Sequence, residues 1–105
     1  MSAFDGVSVT REANVYYEGR VSSRTVTFSD GSRKTLGFML AGDYRFETAA
    51  AEVMEVLGGS ARVKLPGSDA WVVYEPGMVF EVPAASAFAL EVDTFLDYCC
   101  AYIEA

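Results

Sequence analysis

The sequence predicts an all-β fold in a single domain, and three observations carry that expectation. Short runs rich in Val, Thr, Tyr and Phe recur from Val15 onward, the composition of pleated, half-buried surfaces. Turn signals separate them at intervals of about 8–12 residues, the spacing of a sandwich or barrel. The chain has 105 residues, room for one core and not for a second.

Each element follows in order. Met1 to Ala13 shows no clear period and reads as an N-terminal extension, flexible or swapped, ahead of a domain over residues 14–105. Strand-like runs are Arg20 to Phe28, Lys34 to Leu40, Asp43 to Thr48, Glu52 to Leu57, Ala61 to Leu65, Trp71 to Tyr74, Met78 to Val82, Ala87 to Val92, and Phe95 to Ile103. Ser29-Asp30-Gly31-Ser32 is a hairpin loop in which Gly31 can supply a positive φ. Ala41-Gly42-Asp43, Gly58-Gly59, Pro66-Gly67-Ser68-Asp69, Glu75-Pro76-Gly77 and Val82-Pro83-Ala84-Ala85 mark later turns. The one competing helical stretch, Thr48 to Val56, runs too close to Gly58-Gly59 to make a long helix.

Composition narrows the function classes. Hydrophobic residues make up 51% and charged residues 22%, a globular balance. No apolar run approaches the roughly 20 residues that span a bilayer. The opening MSAFDGVSVTRE lacks the basic start and apolar centre of a secretory signal, so a cytoplasmic location is expected. The net charge of −7 argues against nucleic-acid and anionic-membrane partners, whose phosphates need clustered Lys and Arg. Arg20, Arg24, Arg33 and Lys34 nevertheless supply half of the eight cations, and none follows Lys64. That cluster is either a small-anion site or a hairpin edge blunted with charge. Cys99 and Cys100 are neighbours, a spacing at which a disulfide is strained, and they read as core or interface filler.

Two motifs refine the fold. Glu52-Val53-Met54-Glu55-Val56-Leu57-Gly58-Gly59 resembles the end of the first cupin motif, and Gly77-Met78-Val79-Phe80-Glu81-Val82-Pro83 resembles the second, with its G-x5-P spacing intact. The resemblance implies a single-domain cupin, an RmlC-like jelly-roll β-barrel. Metal-binding cupins place two His before the Glu and a third after the Pro. Those positions fall here on Phe46, Thr48 and Phe88, and the chain contains no His at all. A three-His metal centre is therefore excluded, since none of these side chains ligates as imidazole does. Phe46 and Phe88 with Glu52 then either line a pocket for an organic ligand or simply fill the barrel.

A narrower likeness covers about 90 residues, from Asn14 to Ile103. Its signature runs Tyr16-Tyr17-Glu18-Gly19-Arg20-Val21, then Asp30-Gly31-Ser32-Arg33-Lys34-Thr35-Leu36-Gly37, then Met39 to Thr48 and Glu52 to Val56. Val63 to Gly67, Trp71, Tyr74 and Phe80-Glu81-Val82-Pro83 complete it. The chain resembles the small pyrimidine/purine nucleoside phosphorylase family, formerly a domain of unknown function. The resemblance implies a homodimeric pentosyltransferase, a glycosyltransferase of nucleoside metabolism. Its substrates would be purine and pyrimidine nucleosides and inorganic phosphate, its products free base and ribose 1-phosphate, with no metal or organic cofactor. The chain departs from the family at Ala84-Ala85-Ser86-Ala87, where an Asn or His is common, and at Ala101, where Ser or Arg stands.

Phosphorolysis needs cations for phosphate, a carboxylate for ribose hydroxyls or developing positive charge, and an aromatic surface for the base. Arg33 and Lys34 beside Gly31, with Arg24 on the facing strand, are the candidate phosphate anchors. Glu52 is the candidate catalytic carboxylate, with a structural ion pair to Arg45 or Arg62 as its alternative. Tyr44, Phe46 and Phe88 are candidates for stacking on the base, and Tyr74 or water for protonating it. The rival reading is a non-catalytic cupin that binds a small sugar or nucleotide.

Overall fold

Turn residues and alternating side chains resolve into nine antiparallel strands in a computed structural model that describes residues 1–104. The strands are β1 (Ser8–Val9), β2 (Asn14–Tyr16), β3 (Val21–Thr27), β4 (Arg33–Glu47), β5 (Ala51–Gly59), β6 (Ala61–Lys64), β7 (Val72–Tyr74), β8 (Val79–Val82) and β9 (Ala87–Ile103). A single 3-10 turn, Tyr17–Gly19, joins β2 to β3, and no α-helix occurs among the described residues. The sheet order is β1-β3-β4-β9-β5-β8, with β2 added to β3, β6 to β9, and β7 to β6.

The N-terminal extension lies along its own chain. Ser8 and Val9 pair with Thr27 and Val26, and the Thr10 N–H donates to the Thr25 carbonyl at 2.9 Å. Phe4 meets Phe28 edge to face, ring centroids 5.1 Å apart.

One expected turn is absent as a turn and one expected break between strands is bridged. Ala41-Gly42-Asp43 lies inside β4, and the interval between the runs ending at Val92 and starting at Phe95 lies inside β9. The two interruptions face each other, and this is why the ladder survives them. Leu40 pairs with Phe95 and Gly42 with Val92, so β9 spends one residue more than β4 across a bulge. The bulge also reverses which residues of β4 face inward. Before it Thr35, Gly37 and Met39 are buried; after it the buried or half-buried side chains are Tyr44 and Phe46. A one-residue change in register moves a strand's side chains to the other face.

Inward-facing Val21, Met39, Met54, Val56, Val63, Phe80, Val82, Leu90 and Leu96 form one core drawn from six strands. Adjacent Cys99 and Cys100 project to opposite faces of β9, and both thiols are free. The outer face of β4 inverts the usual pattern: Leu36, Phe38 and Leu40 are 39%, 42% and 48% exposed. Phe38 stacks on Phe95 of β9 there, 5.4 Å apart and nearly parallel.

Gly37 is required by packing. A Cβ at this position would overlap the Tyr98 ring on the neighbouring strand. Gly37→Ala is expected to cost about 1–3 kcal/mol of stability, read as a drop of several degrees in Tm. An unchanged Tm would show that the Tyr98 ring moves aside freely.

Candidate functional site

The bend of β4 and β9 gives the barrel its pocket. Both ends of each strand contribute to one lining: Thr35 and Phe46 from β4, Phe88, Tyr98, Cys100 and Tyr102 from β9. Ser23 of β3, Met39 and Glu47 of β4, Glu52 and Met54 of β5, and Tyr16 of β2 complete the wall. Its volume is about 130 Å³, below the range that encloses a drug-sized molecule, about 300 Å³ upward. A ligand of that size would therefore be only partly engulfed.

The lining is chemically graded. At one end Phe46 lies opposite Phe88 in the β4–β9 ladder, rings 6.0 Å apart, and Tyr16 meets Phe46 edge to face at 6.1 Å. In the wall Glu52 pairs in register with Tyr102, and the Cys100 thiol donates to Glu52 Oε1 at 3.4 Å. At the other end the Thr35 and Tyr102 hydroxyls are 3.4 Å apart, and the Arg33 guanidinium stands 5.4 Å from the Tyr102 ring centroid. Arg33 also forms an ion pair with Glu104.

Burial dominates the ionisation of this cluster. It pushes the Glu52 carboxyl above its ordinary value, outweighing the Cys100 thiol hydrogen bond, which pulls the other way. Burial likewise raises Tyr102 to about 12 and moves Cys100 and Tyr98 upward, so all three keep their protons at neutral pH. Glu52 makes no ion pair among the described residues: Arg45 bonds Glu47 at 3.1 Å, and Arg62 holds Glu91 and Asp93 at 3.0 and 2.9 Å.

The sequence candidates separate cleanly. Glu52, Phe46 and Phe88 line the pocket together. Arg33 reaches its edge through Tyr102. Lys34 turns to the other face of β4, its ammonium 5.3 Å from the Phe4 ring centroid and 5.7 Å from that of Phe28. Arg24 is exposed and donates to the Arg11 carbonyl. Neither is in the pocket lining, because Ser23 and Thr35 occupy the inward positions beside them. Tyr44 is buried in the core with its hydroxyl donating to the Leu40 carbonyl at 2.7 Å. Tyr74 packs on Phe80, centroids 4.7 Å apart, outside the lining. Thr48 is buried outside the pocket lining, its hydroxyl donating to the Pro83 carbonyl at 2.7 Å and accepting from the Ser86 N–H at 3.1 Å. The departure at Ala101 falls between inward Cys100 and Tyr102, on the other face of β9.

Tyr16, Ser23, Thr35, Tyr98, Cys100 and Tyr102 were not singled out from sequence as site residues. The available signal was the even-numbered alternation of β9, where Phe88, Leu90, Tyr98, Cys100 and Tyr102 share one face. No group of three or more metal-ligating side chains forms among the described residues.

The raised carboxyl predicts a pH dependence of stability. The folded chain holds the Glu52 proton more tightly than the unfolded chain, whose value is near 4.5. This contribution is full below that pH and is lost as pH rises through the raised folded value. Glu52→Gln, neutral at every pH, should therefore melt above the wild type near neutrality, with the gap narrowing toward about pH 4. Parallel melting curves across the range would contradict a burial-driven shift.

The sequence matches the family described as pyrimidine/purine nucleoside phosphorylase over residues 11–102. The pyrimidine/purine nucleoside phosphorylase of Syntrophotalea carbinolica is 55% identical over 104 residues, which is 99% of this chain and 100% of that protein. Among solved structures, a protein of unknown function from Acinetobacter sp. ADP1 superposes with a TM-score of 0.93 at 41% identity, covering 96% of this chain and 98% of that one. An RmlC-like cupin from Shewanella frigidimarina superposes with a TM-score of 0.71 at 16% identity, covering 99% and 89%, and supports the fold alone. The barrel has a cupin-like fold, and with a match spanning most of its length the chain belongs to the pyrimidine/purine nucleoside phosphorylase family.

Proposed function

We infer that the protein is a nucleoside phosphorylase, cleaving purine and pyrimidine nucleosides with inorganic phosphate to free base and ribose 1-phosphate. The observation that carries this reading is one pocket running from aromatic rings at Phe46 and Phe88, past the half-buried carboxyl of Glu52, to Tyr102, with the Arg33 guanidinium beyond the lining against the Tyr102 ring. Base, ribose and phosphate follow one another in the same order along a reacting nucleoside.

In this reading an oxygen of hydrogen phosphate bonds to the anomeric carbon as the bond from that carbon to the base nitrogen breaks. The electron pair of the broken bond stays on the base. Glu52, held toward its neutral form by burial, donates a proton to the leaving base and regains one from the phosphate hydroxyl. This proton-donating role is proposed in addition to the contact with ribose hydroxyls or developing charge expected of Glu52 from sequence, and in place of Tyr74 or water as donor. Arg33 supplies the charged hydrogen bonds to phosphate, exchanging its partner Glu104 for the incoming anion. No step calls on a metal or an organic cofactor. The active form is a homodimer in the cytoplasm, and the outer apolar face around Leu36, Phe38, Leu40 and Phe95 is the surface that a second copy covers.

Purified protein should release free base from uridine or inosine only when phosphate is present. Saturable nucleoside binding with no turnover would favour the non-catalytic cupin instead. Arg33→Ala should raise the phosphate KM by about tenfold or more while leaving the nucleoside KM near its original value. An unchanged phosphate KM removes Arg33 from the site.

The dimer has its own test. Phe38→Glu places a charge in the proposed contact, and sedimentation should then report a monomer where the wild type is a dimer. A variant that remains dimeric would move the interface elsewhere.

A further inference from the structure

Tyr16 is the only exposed aromatic side chain in the pocket lining: it is 47% exposed, yet it stands edge to face with Phe46 at the rim. What holds it there is unusual. The three residues that follow, Tyr17, Glu18 and Gly19, have φ of 51°, 56° and 92°. Two successive non-glycine residues in the left-handed region persist only where surrounding contacts over-determine them.

Those contacts are specific. The Tyr17 hydroxyl donates to the Arg45 carbonyl at 2.6 Å and accepts from the Arg45 N–H at 2.9 Å. The Tyr17 ring lies edge-on to Tyr44 at 4.9 Å and to Phe46 at 5.6 Å. The Arg20 N–H closes the turn on the Tyr17 carbonyl at 3.1 Å, and its guanidinium lies 5.5 Å from the Tyr44 ring centroid. Arg45 sits on β4 between Tyr44 and Phe46. The turn is therefore pinned to the same stretch of wall that carries Phe46. Core packing alone would bury the neighbouring aromatic ring; instead the arrangement leaves it open at the mouth.

We propose that Tyr16 is the residue on which the nucleobase stacks, and that the Tyr17–Gly19 turn, pinned by the Tyr17 hydroxyl, positions it. The proposal rests on the nucleoside-site reading and deepens it. Stacking engages a π-face that every base possesses, and so tolerates purines and pyrimidines alike. A pocket of about 130 Å³ leaves the base at the rim, its outer edge toward solvent, where base size matters little. Tyr17 acts through Tyr16 and is a positioning residue.

Uridine and inosine are the probes, used in calorimetric titration without phosphate and in turnover with it. Tyr16→Ala should weaken binding and raise the KM of both nucleosides by about tenfold, with kcat changed by no more than about twofold. Tyr16→Phe should restore wild-type values, since the ring and not the hydroxyl does the stacking. Tyr17→Phe removes the pin and should raise both KM values while largely sparing kcat. The proposal is overturned if Tyr16→Ala lowers Tm but leaves nucleoside binding and KM intact. It is equally overturned if Tyr16→Phe is as impaired as Tyr16→Ala, or if the wild type binds neither nucleoside. Failure of the phosphorylase reading looks different: binding that depends on Tyr16 with no phosphate-dependent turnover.

Discussion

The β4–β9 ladder is the constraint on which the rest of the molecule depends. It runs antiparallel from the Lys34–Ala101 pair to the Glu47–Ala87 pair, interrupted only at the Leu40/Gly42 bulge. Without that bulge the inward parity of β4 would continue unchanged, and Tyr44 and Phe46 would point outward. With it, both ends of each strand contribute side chains to a single pocket. The other strands are arranged around this pair: β3 lines one edge of β4, while β5 and β6 share the far edge of β9.

The pocket inherits its chemistry from the same geometry. Phe46 and Phe88, at the positions where the cupin motif spacing leads one to expect imidazoles, are directly paired in the ladder with their rings 6.0 Å apart. Glu52 keeps its place on the wall without a cation beside it, so burial sets its ionisation. In the proposed reading the carboxyl is the proton-holding group, and the anion-holding role falls to Arg33, which lies against Tyr102. A fold elsewhere built around a metal is here suited to proton donation and charge complementarity, in keeping with functions being grafted onto folds and not dictated by them.

Much of this was legible in the sequence, and the exceptions have physical causes. The strand runs, the cupin motifs and the grouping of Phe46, Phe88 and Glu52 could be read because turn residues and motif spacing fix them locally. The parity of β4 could not. Its outward residues Leu36, Phe38 and Leu40 are more apolar than its inward Thr35 and Gly37, the reverse of the pattern by which a buried face is recognised. Lys34 and Arg24 were therefore grouped with Arg33, although alternation turns both away from the pocket. The break at Ala41-Gly42-Asp43 resembled a turn because a bulge and a turn use the same residues, and only the partner strand distinguishes them. Tyr16 lay hidden for a related reason: its place at the rim depends on the Tyr17 hydroxyl reaching Arg45, a contact spanning 28 residues.

If base, ribose and phosphate lie in order from Tyr16 and Phe46 past Glu52 to Arg33, a crystal structure with ribose 1-phosphate and free base bound should show it. Phosphate is expected against the Arg33 guanidinium beside Tyr102, the sugar over Glu52, and the base against Tyr16 and Phe46. Phosphate seated instead in the outer groove lined by Arg45 and Lys64, or a ligand lying in the opposite direction, would contradict it.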